Sequence, residues 1–509
     1  MTSVRKSGVL LHPTSLPGPY GVGEIGAEAR RFVDALEEMG QRRWQILPHG
    51  PTSYGDSPYQ SLSTFAGNPL LISFDGLVND GLLRAARLRE FPRFPDDTVE
   101  YGPVIAARTE ILRSVCRTFA RRASDELLEA FRLFCEREKF WLDDFALYSA
   151  LKEAHDLRPW TEWPEALALR EPAALANARK GLRTAIRNAK ILQFLFDHQW
   201  RRLRNYAHKK KVRLIGDIPV FVAHDSADVW AHPELFHLDA HGLPTVVAGV
   251  PPDYFSATGQ RWGNPLYNWD QHRATGYRWW VRRLQKIFAV VDLVRIDHFR
   301  GFAAYWEIPA DEPTATNGHW VEGPGGEIFD RLLRERDALP IIAEDLGVIT
   351  EDVHALREHY GFPGMRILQF AFGDEDAPEE YRPESYPVRC VVYTGTHDND
   401  TTVGWFWSAA GEGSTRTAEQ IEKERARVLA YTGTDGREIH WDLITLACDS
   451  NGETSIYPLQ DLLGLGSEAR MNVPGVERGN WRWRFTWAQL TPGIRQRMLQ
   501  ISRNAGRVT

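Results

Sequence analysis

Short apolar runs recur along the chain, each ending in an acid, a histidine or a proline. Runs of this kind read as strands buried on both faces. They fall at residues 9–12, 44–48, 214–217, 293–297, 341–344, 365–370, 390–393 and 443–448. Between them lie stretches with apolar residues three and four apart, the spacing of an amphipathic helix. Eight strands interleaved with helices predict an α/β fold, a closed (β/α)8 TIM barrel. A doubly wound sheet is the rival; it would bring a Gly-rich phosphate loop, and no GxxxxGK is present.

The second and third strands are far apart. Residues 110–119, 125–140 and 177–207 carry helical spacing, so 75–211 is expected to form a mainly helical inserted subdomain over the C-terminal face. Pro159, Trp160, Trp163 and Pro164 mark an irregular turn inside it. Residues 232–270, rich in Pro, Gly and aromatics, read as an irregular active-site insertion, and 449–477 as a rim loop after the last strand. An apparent helix at 492–501 follows, with no sign of a C-terminal β-sandwich domain. The expectation is one catalytic barrel over residues 1–509.

Charge and composition narrow the function. The net charge is −7, and the longest basic run is Lys209 to Lys211, a solvated helix end. A nucleic-acid partner would want a basic footprint and is disfavoured. The four cysteines form no CxxC pair, which suits a reducing cytoplasm. Cys116 and Cys135 sit in helical patterns, Cys390 and Cys448 in the predicted strands, all as small core residues. Residues 1–6 lack the apolar core of a signal peptide, and no run approaches the roughly 20 residues of a membrane span. A soluble, cytoplasmic protein with no membrane partner is expected. Aromatics are in excess, with 18 Trp, 16 Tyr and 24 Phe. Most belong to the core, but Tyr54, Tyr59, Tyr254, Phe255 and Trp262 lie in polar Gly/Pro-rich loops where a flat ring can stack on a sugar.

Three predicted strands deliver acids at their C-terminal ends, the end that faces a barrel's active site. The first runs into Arg295, Ile296, Asp297 and His298 within RIDHFRGF. The guanidinium favours an ionised Asp297, as a covalent glycosidic mechanism requires of its nucleophile. A purely structural Asp–Arg pair is the alternative. The second strand runs into Glu344, Asp345, Leu346 and Gly347; the third reaches His397 and Asp398. Roughly fifty residues separate consecutive members, room for one or two βα units. One acid at a helix cap means little; three at strand ends, each beside Arg, His or Gly, point to carboxylate chemistry.

At these residues the sequence resembles the amylomaltases, 4-alpha-glucanotransferases related to the α-amylases. The shared blocks are GVLLHPTSLPG from Gly8, YGDSPYQSLSTFAGN from Tyr54, IGDIPVFV from Ile215 and GVPPDYFSATGQRWGNPLY from Gly249. They continue with RIDHFRGF, AEDLG, GFPGMRILQF, GTHDN and PLQDLLGLGSEARMNVPG. The resemblance implies Asp297 as nucleophile, Glu344 as general acid/base and Asp398 as third acid. It implies Arg295, His298 and His397 around the sugar at the cleavage point, and Asp217 on the preceding strand. Tyr59, Tyr54, Gln260, Trp262 and Asn472 are the remaining candidate substrate contacts, on loops suited to shedding water and holding an acceptor. The pattern departs at Asn504 and Ala505, where a Tyr is expected before Gly506 and Arg507.

Spacing alone leaves three activities open: glucan transfer, hydrolysis of α-glucans, and binding without catalysis. The intact trio of acids disfavours the last. The resemblance implies transfer of α-1,4-glucan segments between malto-oligosaccharides, with glucose as an acceptor, by a retaining double displacement. Neither HExxH nor calcium-loop spacing occurs, so no metal is expected, and acid/base and nucleophilic steps need no cofactor.

Overall fold

The computed structural model describes residues 5–252, 258–373, 381–411 and 416–508. Tyr254 and Phe255 lie outside the described residues. Eight parallel strands form the central sheet: β1 Lys6–Leu10, β2 Arg43–Gln45, β3 Arg213–Pro219, β4 Leu293–Asp297, β5 Ile341–Ala343, β6 Gly364–Ile367, β7 Cys390–Tyr393 and β8 Thr454–Pro458. Neighbours run in sequence order from β1 to β5, and β1 pairs with β8, β8 with β7 and β7 with β6. The ring closes between β5 and β6, where the Ala343 N–H donates to the Pro363 carbonyl at 2.9 Å. The result is a (β/α)8 barrel.

Alternation along the strands explains why they read as continuous apolar runs. Leu10, Ile215, Ile342, Met365, Ile367, Val391, Tyr393 and Ile456 cluster together as the barrel filling. Val9, Leu214, Val294, Ile296, Ala343, Val392 and Tyr457 join the larger core under the helices. Both faces are dry, so neither shows polar alternation.

The eighth strand is not where the apolar pattern puts it. Residues 443–448 lie inside the helix Ile439–Asp449, which buries Leu443, Ile444, Ala447 and Cys448 on one side. Cys448 is therefore a helical residue, and 449–477 contains β8 rather than following it. A short apolar run fits a buried helix as well as a strand. The true strand hides polar Thr454 and Ser455, with the Ser455 and Tyr457 hydroxyls 2.6 Å apart. The sixth strand also stops early, at Ile367, and gives way to the 3-10 turn Leu368–Phe370.

Between β2 and β3 the chain forms the helices Tyr101–Arg122, Asp125–Arg137, Lys139–Ala154, Pro172–Gly181 and Arg183–Lys209. The stretch 232–270, expected to be irregular, contributes the strands Val246–Val250 and Gln260–Pro265. With Ala304–Pro309 and His319–Glu322 they build a four-stranded antiparallel sheet beside the end of β4. Glycines and prolines mask these short strands in the sequence. A GxGxxG spelling does occur, at residues 21–26, ahead of the helix Ala27–Glu38. A Cβ at Gly23 would meet the Pro13 carbonyl and one at Gly26 the Ser73 side chain, so this turn is close-packed inside the barrel fold. Among the described residues no helix is long and apolar enough to cross a membrane.

Candidate active site

Register on neighbouring strands brings the charged residues together. Asp217 on β3 stands opposite Arg295 on β4, and Pro219 opposite Asp297. Parallel strands in register point paired side chains to the same face, so these groups share the barrel's interior. One Arg295 nitrogen donates to both oxygens of Asp217, at 3.0 and 2.9 Å. The other meets Asp297 at 2.9 Å. Asp217 is fully buried, whereas the Asp297 side chain is 30% exposed. Asp217 thus anchors the guanidinium, and Asp297 presents its carboxylate at the strand end. Burial pushes the Asp217 carboxyl up, with Arg295 and the Tyr59 hydroxyl opposing.

The same logic places Glu344. Ile296 pairs with Ala343, so the next residues, Asp297 and Glu344, sit level on β4 and at the end of β5. The Glu344 carboxyl accepts the His298 N–H at 2.6 Å and the Leu346 N–H at 2.9 Å. Burial raises its pKa from 4.5 to about 7; Arg295 opposes the shift and the Asp297 charge adds to it. A carboxyl poised near neutrality beside a second, reachable carboxylate can deliver a proton and take it back.

Asp398 follows β7. It accepts from the Asn472 amide at 2.6 Å, and His397 Nε2 lies 3.3 Å from its other oxygen. Arg470 donates to the Asp398 and Asn472 carbonyls, both at 2.7 Å, and so pins the segment. The Asp398 side chain remains 44% exposed, open to hydroxyl donors. Tyr59 closes this side. Its hydroxyl donates to Asp217 at 3.0 Å, and its ring stacks on His397 at 5.1 Å and 14°. One face of that ring is therefore occupied.

His298 adopts the left-handed conformation (φ 56°, ψ 47°), which turns its N–H toward Glu344. Burial, aided by Arg300, lowers its imidazole pKa to about 3, which keeps that ring neutral; burial also lowers that of His397, with Asp398 opposing. Trp262 meets the His298 ring edge to face at 4.8 Å and donates to Gln260 at 3.1 Å. His298 Nε2 is buried with no hydrogen-bond partner among the described residues, as a donor reserved for a ligand would be.

The structure thus gathers Tyr59, Asp217, Trp262, Arg295, Asp297, His298, Glu344, His397, Asp398 and Asn472, with Gln260 reached through Trp262. Tyr54 belongs to the short turn Tyr54–Asp56, ahead of Tyr59. Two supporting residues escaped the sequence reading. Trp481, at φ 65°, lies 5.8 Å from His397 and 6.0 Å from Tyr59, and Arg470 braces Asp398. The dense WRWRFTW string and the nearness of Arg470 to Asn472 are the only signals for them. Among the described residues no group of three or more His, Cys, Asp or Glu is placed to hold a metal.

Comparison with known proteins shows the family to which the chain belongs. Residues 11–491 match the model of glycoside hydrolase family 77, described as 4-alpha-glucanotransferase. The chain belongs to the 4-alpha-glucanotransferase family. A 4-alpha-glucanotransferase of Thermus thermophilus is 52% identical over 494 residues, covering 96% of each chain. One of Synechocystis is 46% identical over 100% of this chain and 99% of its own. The solved amylomaltase of Streptococcus agalactiae, in complex with acarbose, superposes with a TM-score of 0.93 at 39% identity, over 99% of this chain and 100% of its own. An amylomaltase of Corynebacterium glutamicum, at 20% identity and a TM-score of 0.79, shares the fold across 98% of this chain and 75% of its own. The activity of the 4-alpha-glucanotransferase family is glucan transfer with retention, by double displacement.

Proposed function

We propose that Asp297 is the nucleophile of this transferase, Glu344 its general acid and base, and Asp398 the acid that holds the sugar ring. Glu344 protonates the leaving glycosidic oxygen as Asp297 attacks the anomeric carbon and forms a covalent glycosyl-enzyme. The deprotonated Glu344 then takes the proton from the incoming 4-hydroxyl, which displaces Asp297. Asp398, His397 and His298 bind sugar hydroxyls, and their bonds count most where they tighten in the transition state. Arg295 holds Asp297 in place and is itself fixed by Asp217. The single observation that carries the reading is the half-buried Glu344 carboxyl, raised to about 7 and gripped by two N–H groups beside the Asp297–Arg295 pair.

The substrates we infer are α-1,4-glucans and malto-oligosaccharides as donor and acceptor, with glucose as a further acceptor. We assign Gln260 and Trp262 on their strand, Asn472, and the turn that begins at Tyr54 to holding these chains and excluding water. Four free cysteines support a cytoplasmic setting. Incubation with maltotriose alone tests the activity. Shorter and longer oligomers together mean transfer; shorter products alone would mean hydrolysis and overturn the reading.

A further inference from the structure

The tripeptide after β4 grips the loop of Glu344 at three points. The His298 N–H reaches the Glu344 carboxyl at 2.6 Å, and the Phe299 N–H its carbonyl at 3.3 Å. The third grip is Arg300, whose guanidinium donates to the Val348 carbonyl. Only Asp345, Leu346 and Gly347 lie between Glu344 and Val348. The Leu346 N–H is the second donor to the Glu344 carboxyl, so its placement matters to that group.

The two ends of this short loop are held differently. Upstream, buried Asp345 accepts the Met365 N–H at 2.6 Å and pairs with Arg366 and Arg357. Downstream, Gly347 is at φ 84° with open space where a Cβ would stand, and the Val348 side chain is 58% exposed. Leu346 and Ile349, on either side of these two residues, are only partly buried against the core, and the bond from Arg300 adds a polar anchor between them. Arg300 is itself buried, and its guanidinium carbon lies 3.9 Å above the Trp320 ring. Trp320 stands opposite Trp306 in the small antiparallel sheet, with the two rings 5.3 Å apart. The anchor therefore rests on the same sheet that carries Trp262.

We propose that Arg300 is a positioning residue for the acid/base. Clamped on Trp320, it fixes the Val348 carbonyl and with it the Leu346 N–H that orients Glu344. The inference rests on the assignment of Glu344 as acid/base. Without Arg300 the carboxyl keeps one backbone donor of two and swings from the leaving oxygen. Cleavage that needs the Glu344 proton then slows, while attack of Asp297 on a donor that needs no proton is untouched. A donor whose leaving group departs as an anion, such as α-maltosyl fluoride, bypasses the proton.

The test compares maltotriose with α-maltosyl fluoride in Arg300→Ala, Arg300→Lys, Trp320→Ala and Glu344→Gln. Arg300→Ala should lose about ten- to a hundred-fold on maltotriose, the worth of one hydrogen bond to a charged group. On the fluoride its loss in kcat/KM, which reports formation of the glycosyl-enzyme and not the later base step, should stay within about three-fold. Trp320→Ala should move in the same direction by less, and Arg300→Lys should regain part of the loss. If Arg300→Ala does not fold, the other two variants carry the comparison. Equal losses on both donors, with Glu344→Gln still selective between them, overturn the positioning role. If Glu344→Gln itself loses both donors alike, the acid/base assignment falls and the role of Arg300 falls with it.

Discussion

As the proposed acid, Glu344 should set the pH behaviour of the first half-reaction. Its carboxyl is raised from 4.5 to about 7, so the protonated acid is present below that value and is lost as pH rises through it. The kcat/KM for an unactivated glucan should therefore fall about ten-fold per pH unit above about 7. Glu344→Gln should lack that limb when an activated donor is consumed. A limb that survives the substitution would assign the titration to another group. Much of this candidate site was legible because Arg295, Asp297 and His298 fall within four residues at the end of an apolar strand. The principal partner of Arg295 was not legible, because Asp217 lies on another strand and meets it only through the β3–β4 register. Nor was the left-handed turn at His298, which a non-glycine residue adopts only where surrounding contacts hold it.

At the scale of elements, the small antiparallel sheet is the part the sequence concealed. Its strands are short, and glycine or proline interrupts three of the four, yet the sheet carries Trp262 against His298 and Trp320 against Arg300. Of the two rings, Trp262 stands beside the candidate site, where we assign it to holding an acceptor while water is excluded. Trp262→Ala should weaken acceptor binding more than formation of the glycosyl-enzyme, by about 1–2 kcal/mol, roughly ten-fold. The ratio of reducing ends released to segments transferred from maltotriose should rise accordingly. Equal falls in transfer and hydrolysis would mean that Trp262 holds the donor only. Tyr59, with one ring face on His397 and its hydroxyl on Asp217, belongs to the wall around the catalytic acids. The misplaced eighth strand has a similar cause: ITLAC reads apolar and TSIYP does not, although the second is the one buried in the barrel.

For the whole molecule, the barrel was readable from the rhythm of acid-ended apolar runs, and its closure was not. The far end of β1 and β8 is fastened by Arg507, two residues beyond the departure from the family pattern at Ala505. Its buried guanidinium donates to the carbonyls of Cys448 at 2.6 Å, Lys6 at 2.8 Å, Gly452 at 2.9 Å and Ser450 at 3.1 Å. Those carbonyls join the end of the helix Ile439–Asp449 to the starts of both strands. Arg507→Ala removes these bonds, with Arg5 still donating to the Cys448 and Ser450 carbonyls, and should cost about 2–3 kcal/mol, read as a lower unfolding midpoint in urea. Activity of the folded protein at low temperature should be retained, since Arg507 lies at the opposite end of the barrel from Asp297. An unchanged midpoint would show that water replaces the guanidinium at no cost.

The central claim is the covalent intermediate on Asp297. A 5-fluoro glycosyl fluoride, which forms the glycosyl-enzyme faster than it is released, should inactivate the protein one label to one chain. Peptide mapping should then place that label on Asp297, and Asp297→Asn should take up none and lose more than about a hundred-fold in turnover. A label on Glu344, Asp398 or any other residue would contradict the account.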